Sequence, residues 1–527
     1  MLLQRVRNRG IGLGTLLERA AALHPANVMI FDHPLDVAPE LGTRVTVAEV
    51  ADLVDDLAAR LWAAKVRPGE HVVIHKSDGF DITLLGFAVA RVGAVPVMLS
   101  PKLPGPVVAE LIRRNGRPVL ITDEAKLTGE LPRGTAEACE QVLLASGSGA
   151  GATPLSQYAG ASRIPPVGVP SSGPALITHT SGTTGVPKLA VHTGESLEAR
   201  YRPQAAAVTP LLRRRPETVA MHVSFVHSRI FLALAVTLLR GCPVVVLADP
   251  DPERAAELFA RLRPGILEAH PNTFMEWEPL AKDPREPLAN VKLFSSTFDA
   301  IHPRTVKLML HASRRRSAIF GQLYGQSEVG PVTVRTFTRQ RLFEADGRCV
   351  GFPFPGMTGI RVTSRNGRTP SRENPGHIEV RSDGRVRTYL DEHERYEGQV
   401  TEGGWWRMGD VGYRSRYGCV HLLDREVDLI EGFGSTLAAE DTLLDRMGDL
   451  TEVIVVPGAD GTAVPVVCTR GDLPLDRAAW QHAVRGLPPM ADPVQWKLEE
   501  LPHTATTKIK RRELTRVLGE RAARATR

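Results

Sequence analysis

The sequence predicts an α/β protein: a large N-terminal portion of mostly parallel sheets flanked by helices, with a β-rich section, and a small α+β portion at the C-terminus. Three observations carry this. Strand-length apolar runs alternate with helix-length amphipathic runs along much of the chain, the pattern of βα units whose sheet is covered on both faces. A Gly-, Pro- and Ser-rich stretch at 364–376, "SRNGRTPSRENPG", reads as a hairpin turn inside an all-β section. After about Leu423 the texture changes to short strands, a helix near 476–486 and a basic tail. A chain of 527 residues has room for two or more domains, and this change divides it into residues 1–423 and 424–527.

The elements follow in order. "TVAEVADLVDDLAARL" opens with a capping box, Thr46 and Glu49, and then sets Val50, Leu53, Val54, Leu57 and Leu61 on one helical face. "HVVIH" (71–75) is a buried strand, followed by a helix through Asp81–Arg91 and by strands at "AVPVML" and "PVLITD". The Gly/Pro/Ser-rich stretch 145–173 reads as a surface loop leading into the apolar run "PALI". Further on, the helix "PERAAELFARLRP" precedes the strand "GILEAH", and "SAIFGQLYG" runs from strand into loop. "TEVIVVP" and "VPVVCT" supply strands to the C-terminal portion. Parallel sheets of this kind bind ligands in the crevice beyond the carboxyl ends of their strands. No internal repeat is visible.

Composition narrows the function. The excess of 65 basic over 59 acidic residues, a net +6, is small for this length, so it suits anionic ligands rather than nucleic acid. The best apolar run, Ile230–Leu239, is cut by Arg240 and Pro243, short of the roughly 20 residues a membrane span needs. "MLLQRVRNRGIGLG" lacks the apolar stretch of a secretion signal. Cys139, Cys242, Cys349, Cys419 and Cys468 are far apart with no CxxC pair, which predicts neither a disulfide framework nor a zinc site and fits a reducing cytosol. The expectation is a cytoplasmic protein with no membrane span and no nucleic-acid partner.

The chemistry-bearing stretch is "TSGTTGVPKLAVH" at 180–192, directly after the strand-like "PALI". Gly182 and Gly185 let backbone N–H groups turn toward an anion. Thr180, Ser181, Thr183 and Thr184 add hydroxyls, and Lys188 adds a mobile cation. It is not a Walker loop, because Val186 and Pro187 separate glycine from lysine and Leu189 follows. Alone, such a stretch is as readily a hydroxyl-rich surface turn.

Four further motifs follow in order: "YGQSE" (324–328), "GWWRMGDVGY" (404–413), "LLDREVDLIEGFG" (422–434) and "LPHTATTKIKRREL" (501–514). Together the five resemble the adenylate-forming superfamily of acyl- and aryl-CoA synthetases, nonribosomal peptide synthetase adenylation domains and luciferases, and most of all its stand-alone acid–CoA ligases. The resemblance spans about Ala48 to Leu514. It implies a two-step reaction in which an acid anion attacks the α-phosphate of ATP, pyrophosphate leaves, and the mixed anhydride passes to an acceptor. It also implies a mobile C-terminal domain that rotates between the steps.

Residue by residue, the resemblance sets Thr180 to Gly185 and Lys188 around the β- and γ-phosphates, and Glu328 on Mg²⁺. Ser327 stands where a threonine usually meets the α-phosphate. Asp410 matches the ribose-binding aspartate and Arg425 its basic neighbour. Lys508 matches the lysine that bridges acid and α-phosphate. Adenine would lie by Thr297, Phe298, Asp299 and Tyr324, beside Gly325 and Gln326, while His227, Ser296 and Gly321 would border the acid pocket. Gly434 matches the glycine of the pantetheine tunnel. Outside the motifs, Glu328 would read as a solvated loop carboxylate, Asp410 as a turn residue, Lys508 as part of a charged helix end and His227 as a core histidine; His270 reads as structural.

Several positions depart from the family. Leu189 replaces a glycine after the lysine, and "SSTFDAIHP" (295–303) replaces a glycine-rich stretch, which would favour a small or flat substrate. Val427 takes the hinge position usually held by Asp or Lys, and Thr507 a common glycine. Three functions therefore compete. The motifs put first an acid–thiol ligase acting on a small or aromatic acid, with CoA or the phosphopantetheine of a trans-acting carrier protein as acceptor. The second uses the same adenylation but a nitrogen acceptor, as in an amide ligase or an ATP-dependent diazotase that activates nitrite for an arylamine. The third is a degenerate adenylate-binding protein, against which retained Lys188, Glu328, Asp410 and Lys508 argue.

Overall fold

The computed structural model describes residues 11–180, 186–212, 216–297, 300–340, 348–458, 460–504 and 508–525. The helix Val47–Ala63 starts as its sequence dictates: the Thr46 hydroxyl accepts from the Glu49 N–H at 3.2 Å and the Glu49 carboxylate accepts from the Thr46 N–H at 2.7 Å. Its apolar stripe joins the first core, packing with the helices Leu13–Leu23 and Asp81–Arg91. Helix Asp81–Arg91 is buried nearly all round, which is why its sequence shows no polar face.

Two sheets carry the larger part. In the first, the strands Pro174–His179, Val95–Met98, His71–Ile74, Val119–Thr122, Gln141–Leu144 and Thr153–Pro154 lie parallel in that order. Leu189–Thr193 returns antiparallel to Pro174–His179, so residues 180 and 188 face each other just beyond the paired strands. The short strand Thr388–Tyr389 closes that edge. The second sheet runs parallel from Val28–Phe31 through Val244–Val246, Val219–His222, Ile266–Ala269 and Leu293–Ser296 to Ile319–Gln326. There it turns antiparallel and continues into the β-rich section, which includes Thr358–Thr363, Gly376–Ser382, Trp405–Arg414 and Val420–Arg425. The hairpin at 364–376 lies as its turn residues predict.

Beyond Ile430 the strands Leu450–Pro457, Ala463–Thr469 and Val494–Gln495 pack with the helices Thr436–Arg446, Arg477–Ala483 and Arg511–Ala525 around small cores of their own. Arg348 ties this part to the β-rich section through Asp441 at 2.6 Å and the Leu437 carbonyl. Among the described residues no helix is long and apolar enough to cross a membrane.

Two expectations need correction. The stretch 145–173 is not all loop, since it includes the edge strand Thr153–Pro154 and a turn of 3₁₀ helix at Leu155–Tyr158. Cys349 and Cys419, expected to be unpaired, form a disulfide. Strand register brings them together: Cys349 pairs with His421, so Cys419 lies just beyond it despite a separation of 70 residues. Cysteine usage therefore no longer argues for a reducing compartment. The free thiols of Cys139, Cys242 and Cys468 are pushed up to about 11, 11 and 12 by burial, which makes them poor nucleophiles.

Candidate active site

The carboxyl ends of Leu293–Ser296 and Ile319–Gln326 open onto a cavity of about 610 Å³ that reaches the C-terminal part. Thr180, Lys188, His227, Thr297, Tyr324, Gly325, Gln326, Ser327, Glu328, Asp410, Arg425 and Lys508 line this one cleft. Ser181, Gly182, Thr183, Thr184, Gly185, Phe298, Asp299 and Thr507 lie outside the described residues. Ser296 and Gly321 are buried in their strands rather than on the cleft wall. Gly434 is exposed, with φ +88°, and is not among the residues that line the cleft.

The edge of the first sheet supplies the cation. The Thr180 N–H donates to the Lys188 carbonyl at 2.9 Å, and the Lys188 N–H donates to the Thr180 hydroxyl at 3.1 Å, which clamps these two residues together. The Lys188 ammonium stands 3.7 Å from the Glu328 carboxylate and donates to the Tyr389 hydroxyl at 3.1 Å. Tyr389 in turn donates to Glu328 at 2.6 Å and lies under the ammonium. Burial lowers the Lys188 pKa, opposed by the Glu328 charge. Tyr389 is a member of the site that sequence reasoning missed; in "RTYLD" nothing marks it, and only the pairing of Thr388–Tyr389 with Leu189–Thr193 brings it here.

On the other wall, Asp410 and Arg425 face each other because their strands pair in that register, with Arg425 Nε 3.5 Å from Asp410 Oδ1. The Tyr324 hydroxyl donates to Asp410 Oδ2 at 2.5 Å, and burial with the Asp410 charge raises the phenol's pKa. Gln326 is fixed by the Met408 carbonyl and by the Trp406 N–H at 3.2 Å. Between the walls, His227 Nε2 bonds the Ser327 hydroxyl at 3.2 Å, while its Nδ1 accepts from the Arg229 N–H at 3.2 Å. Burial, then the Arg200 charge, pushes His227 down to about 3, so the ring is neutral and a weak base. The Thr297 hydroxyl lines the cleft, buried and with no hydrogen-bond partner among the described residues.

From the C-terminal part, Lys508 enters the same cleft. Its backbone is held to Thr504: the Thr504 N–H donates to the Lys508 carbonyl at 2.7 Å and the Lys508 N–H to the Thr504 hydroxyl at 3.0 Å. Its charge reaches His227 and His270. Val427 is half exposed at the cleft edge, beside Asp428, whose pKa burial raises. A second cavity of about 780 Å³ adjoins, sharing Asn272, Met275, His302, Leu444 and Glu452 with the first. His270, read as structural, lines it and accepts from the Ser224 N–H at 3.1 Å.

Fold and cleft together define an adenylate-forming ligase. The chain belongs to the AMP-binding enzyme family, whose model matches residues 17–390. It is 48% identical to 3-amino-2-hydroxy-4-methoxybenzoate diazotase of Streptomyces cremeus, over 98% of this chain and 97% of that one. It is 24% identical to 3-aminoavenalumate diazotase of a Streptomyces species, over 97% and 96% of the two chains. Among solved structures, an anthranilate CoA ligase in complex with anthranoyl-AMP superposes with a TM-score of 0.81 at 18% identity, covering 98% of each chain, a likeness of fold.

Proposed function

We propose that this chain is an ATP-dependent arylamine diazotase: it adenylates nitrite and passes the nitroso group to an aromatic amine of the aminohydroxybenzoate type. The observation that carries this is the 48% identity to a diazotase along nearly the whole of both chains. That similarity supports the nitrogen acceptor better than the thiol acceptor the motifs put first. The neutral, compact wall of His227 and Ser327 and the apolar hinge residue Val427 agree with it.

The chemistry balances without an oxidant. A nitrite oxygen bonds to the α-phosphorus of ATP, the bond to the β-phosphate breaks, and pyrophosphate leaves. The amine nitrogen then bonds to the nitroso nitrogen, AMP leaves, and an amine proton is released. The N-nitroso product tautomerises to a diazohydroxide, takes up a proton and loses water to give the diazonium ion.

In this reading Lys188 and the clamped loop end at Thr180 hold the outer phosphates. Glu328 has the hard carboxylate donor that suits Mg²⁺, with the Tyr389 hydroxyl and the Lys188 ammonium beside it, and the ion would offset triphosphate charge there. Asp410, oriented by Tyr324 and Arg425, accepts from the ribose hydroxyls. Ser327 contacts the α-phosphate, and the neutral His227 orients Ser327 by hydrogen bonding rather than by proton transfer. Lys508 draws nitrite and α-phosphate together, riding on a separate C-terminal domain whose boundary lies near 423/424. The adjoining cavity gives the amine a route to the reacting atoms.

Pyrophosphate release measured with ATP, Mg²⁺ and nitrite, and azo coupling of the product formed when a 3-aminobenzoate is added, tests the assignment. Nitrite-dependent pyrophosphate and amine-dependent dye are expected. AMP formation that needs CoA and a carboxylic acid but not nitrite would replace this reading with the thioester one. Asp410→Ala is expected to raise KM for ATP by roughly 10- to 100-fold, the value of hydrogen bonds to a charged group, with KM for nitrite little changed.

A further inference from the structure

Arg200, in the helix Gly194–Leu212, lines the cleft yet is 1% exposed. Its guanidinium donates to three neutral acceptors: the Gly384 carbonyl at 2.6 Å, the Ser228 hydroxyl at 3.2 Å and the Ser327 carbonyl at 2.8 Å. Among the described residues no carboxylate lies within ion-pair distance of it. Arg229, its neighbour on the cleft wall, is different: Glu268 grips it through both carboxylate oxygens. An arginine cannot readily shed its charge, and a buried charge without a counter-ion is costly. Burial lowers Arg200 only to about 9, so it stays cationic at neutral pH.

The fold makes room for this side chain. A methyl group at Gly330 or at Gly384 would stand 2.7 Å from Arg200 Cγ. Gly330 also has φ +73°, so both space and backbone select glycine there. The two glycines thus leave room for the stem of this side chain. Its field reaches the reacting centre, since the Arg200 charge is the second cause, after burial, of the lowered His227 pKa. Glu328, the carboxylate among the described residues whose field favours Arg200, is already engaged by Tyr389 and Lys188.

We infer that Arg200 is a positioning residue for the small anion that is adenylated: it acts through Ser327 and Ser228 and supplies the fixed positive field that draws nitrite to the His227–Ser327 wall. This rests on the diazotase reading. It goes beyond that reading by assigning nitrite selectivity to a cation set apart from the triphosphate cradle.

The test compares wild type with Arg200→Met, Arg200→Lys and Gly384→Ala, with AMP binding and thermal melting as checks of folding. Arg200→Met is expected to raise KM for nitrite by roughly 10- to 100-fold, with KM for ATP and for the amine within about 2-fold. Arg200→Lys should restore most of the nitrite affinity. Should Arg200→Met not fold, Gly384→Ala, which crowds the stem and keeps the charge, is expected to raise KM for nitrite selectively. An unchanged nitrite KM in folded Arg200→Met, or in Gly384→Ala where Arg200→Met does not fold, or equal rises for ATP and nitrite, overturns the assignment. Wild-type pyrophosphate release that ignores nitrite overturns the diazotase reading and this inference together; nitrite dependence with no selective effect overturns only the role of Arg200.

Discussion

Lys508→Ala is expected to lower nitrite-dependent pyrophosphate release by roughly 10²- to 10³-fold, the cost of deleting one preorganised donor from a transition state that gathers negative charge. Nitrite and a triphosphate repel, and a mobile ammonium placed between them relieves that repulsion where bonds change. Lys508 is suited to this because its backbone is pinned by paired bonds with Thr504 and by the bridge from His503 to Ile509, while its side chain faces the cleft. The small cores of the C-terminal part are built elsewhere, from residues such as Trp480, Trp496 and Leu514. The variant should therefore melt as wild type does and bind AMP nearly as well. The lost rate should appear in kcat more than in the KM for ATP, because in the proposed reading the triphosphate is held chiefly from the other wall. Wild-type turnover by a folded Lys508→Ala protein would remove Lys508 from the mechanism.

Local signals made much of this architecture readable. The capping box at Thr46 and the stripe from Val50 to Leu61 specify their helix before any tertiary contact forms. The turn at 364–376 specifies its hairpin for the same reason. Side chains within ordered motifs, such as Glu328, Asp410 and Lys508, were legible because the motif fixes the residue type and the fold needs only to bring the motifs together. Three features were not legible, and each depends on contacts between residues far apart in the sequence. Tyr389 reaches Lys188 across a separation of 201 residues, through a two-residue edge strand too short to leave a pattern. Cys349 meets Cys419 only through strand pairing. Nothing in the sequence around Arg200 marks it; its meaning lies in Gly330, Gly384 and Ser327, which the chain supplies far downstream.

Glu328→Gln should cut turnover by roughly 10²- to 10³-fold, since a metal-held oxygen accounts for several kcal/mol of charge stabilisation. The amide keeps the shape of the carboxylate and can still accept from the Tyr389 hydroxyl, so folding should survive. What it lacks is charge, with two consequences. The Mg²⁺ concentration for half-maximal rate should rise, because a neutral carbonyl is a far weaker ligand for a hard cation. The alkaline limb of the pH–rate profile should also move to lower pH. In the native site burial pulls the Lys188 pKa down and the Glu328 charge pulls it back up. Without that charge burial acts less opposed, the ammonium loses its proton at lower pH, and the cation proposed to hold the outer phosphates disappears sooner. A titration of rate against pH and against Mg²⁺ reads both effects in one variant. A drop in rate with neither displacement would mean that Glu328 only shapes the cleft, and the metal would then have to be held by other oxygens.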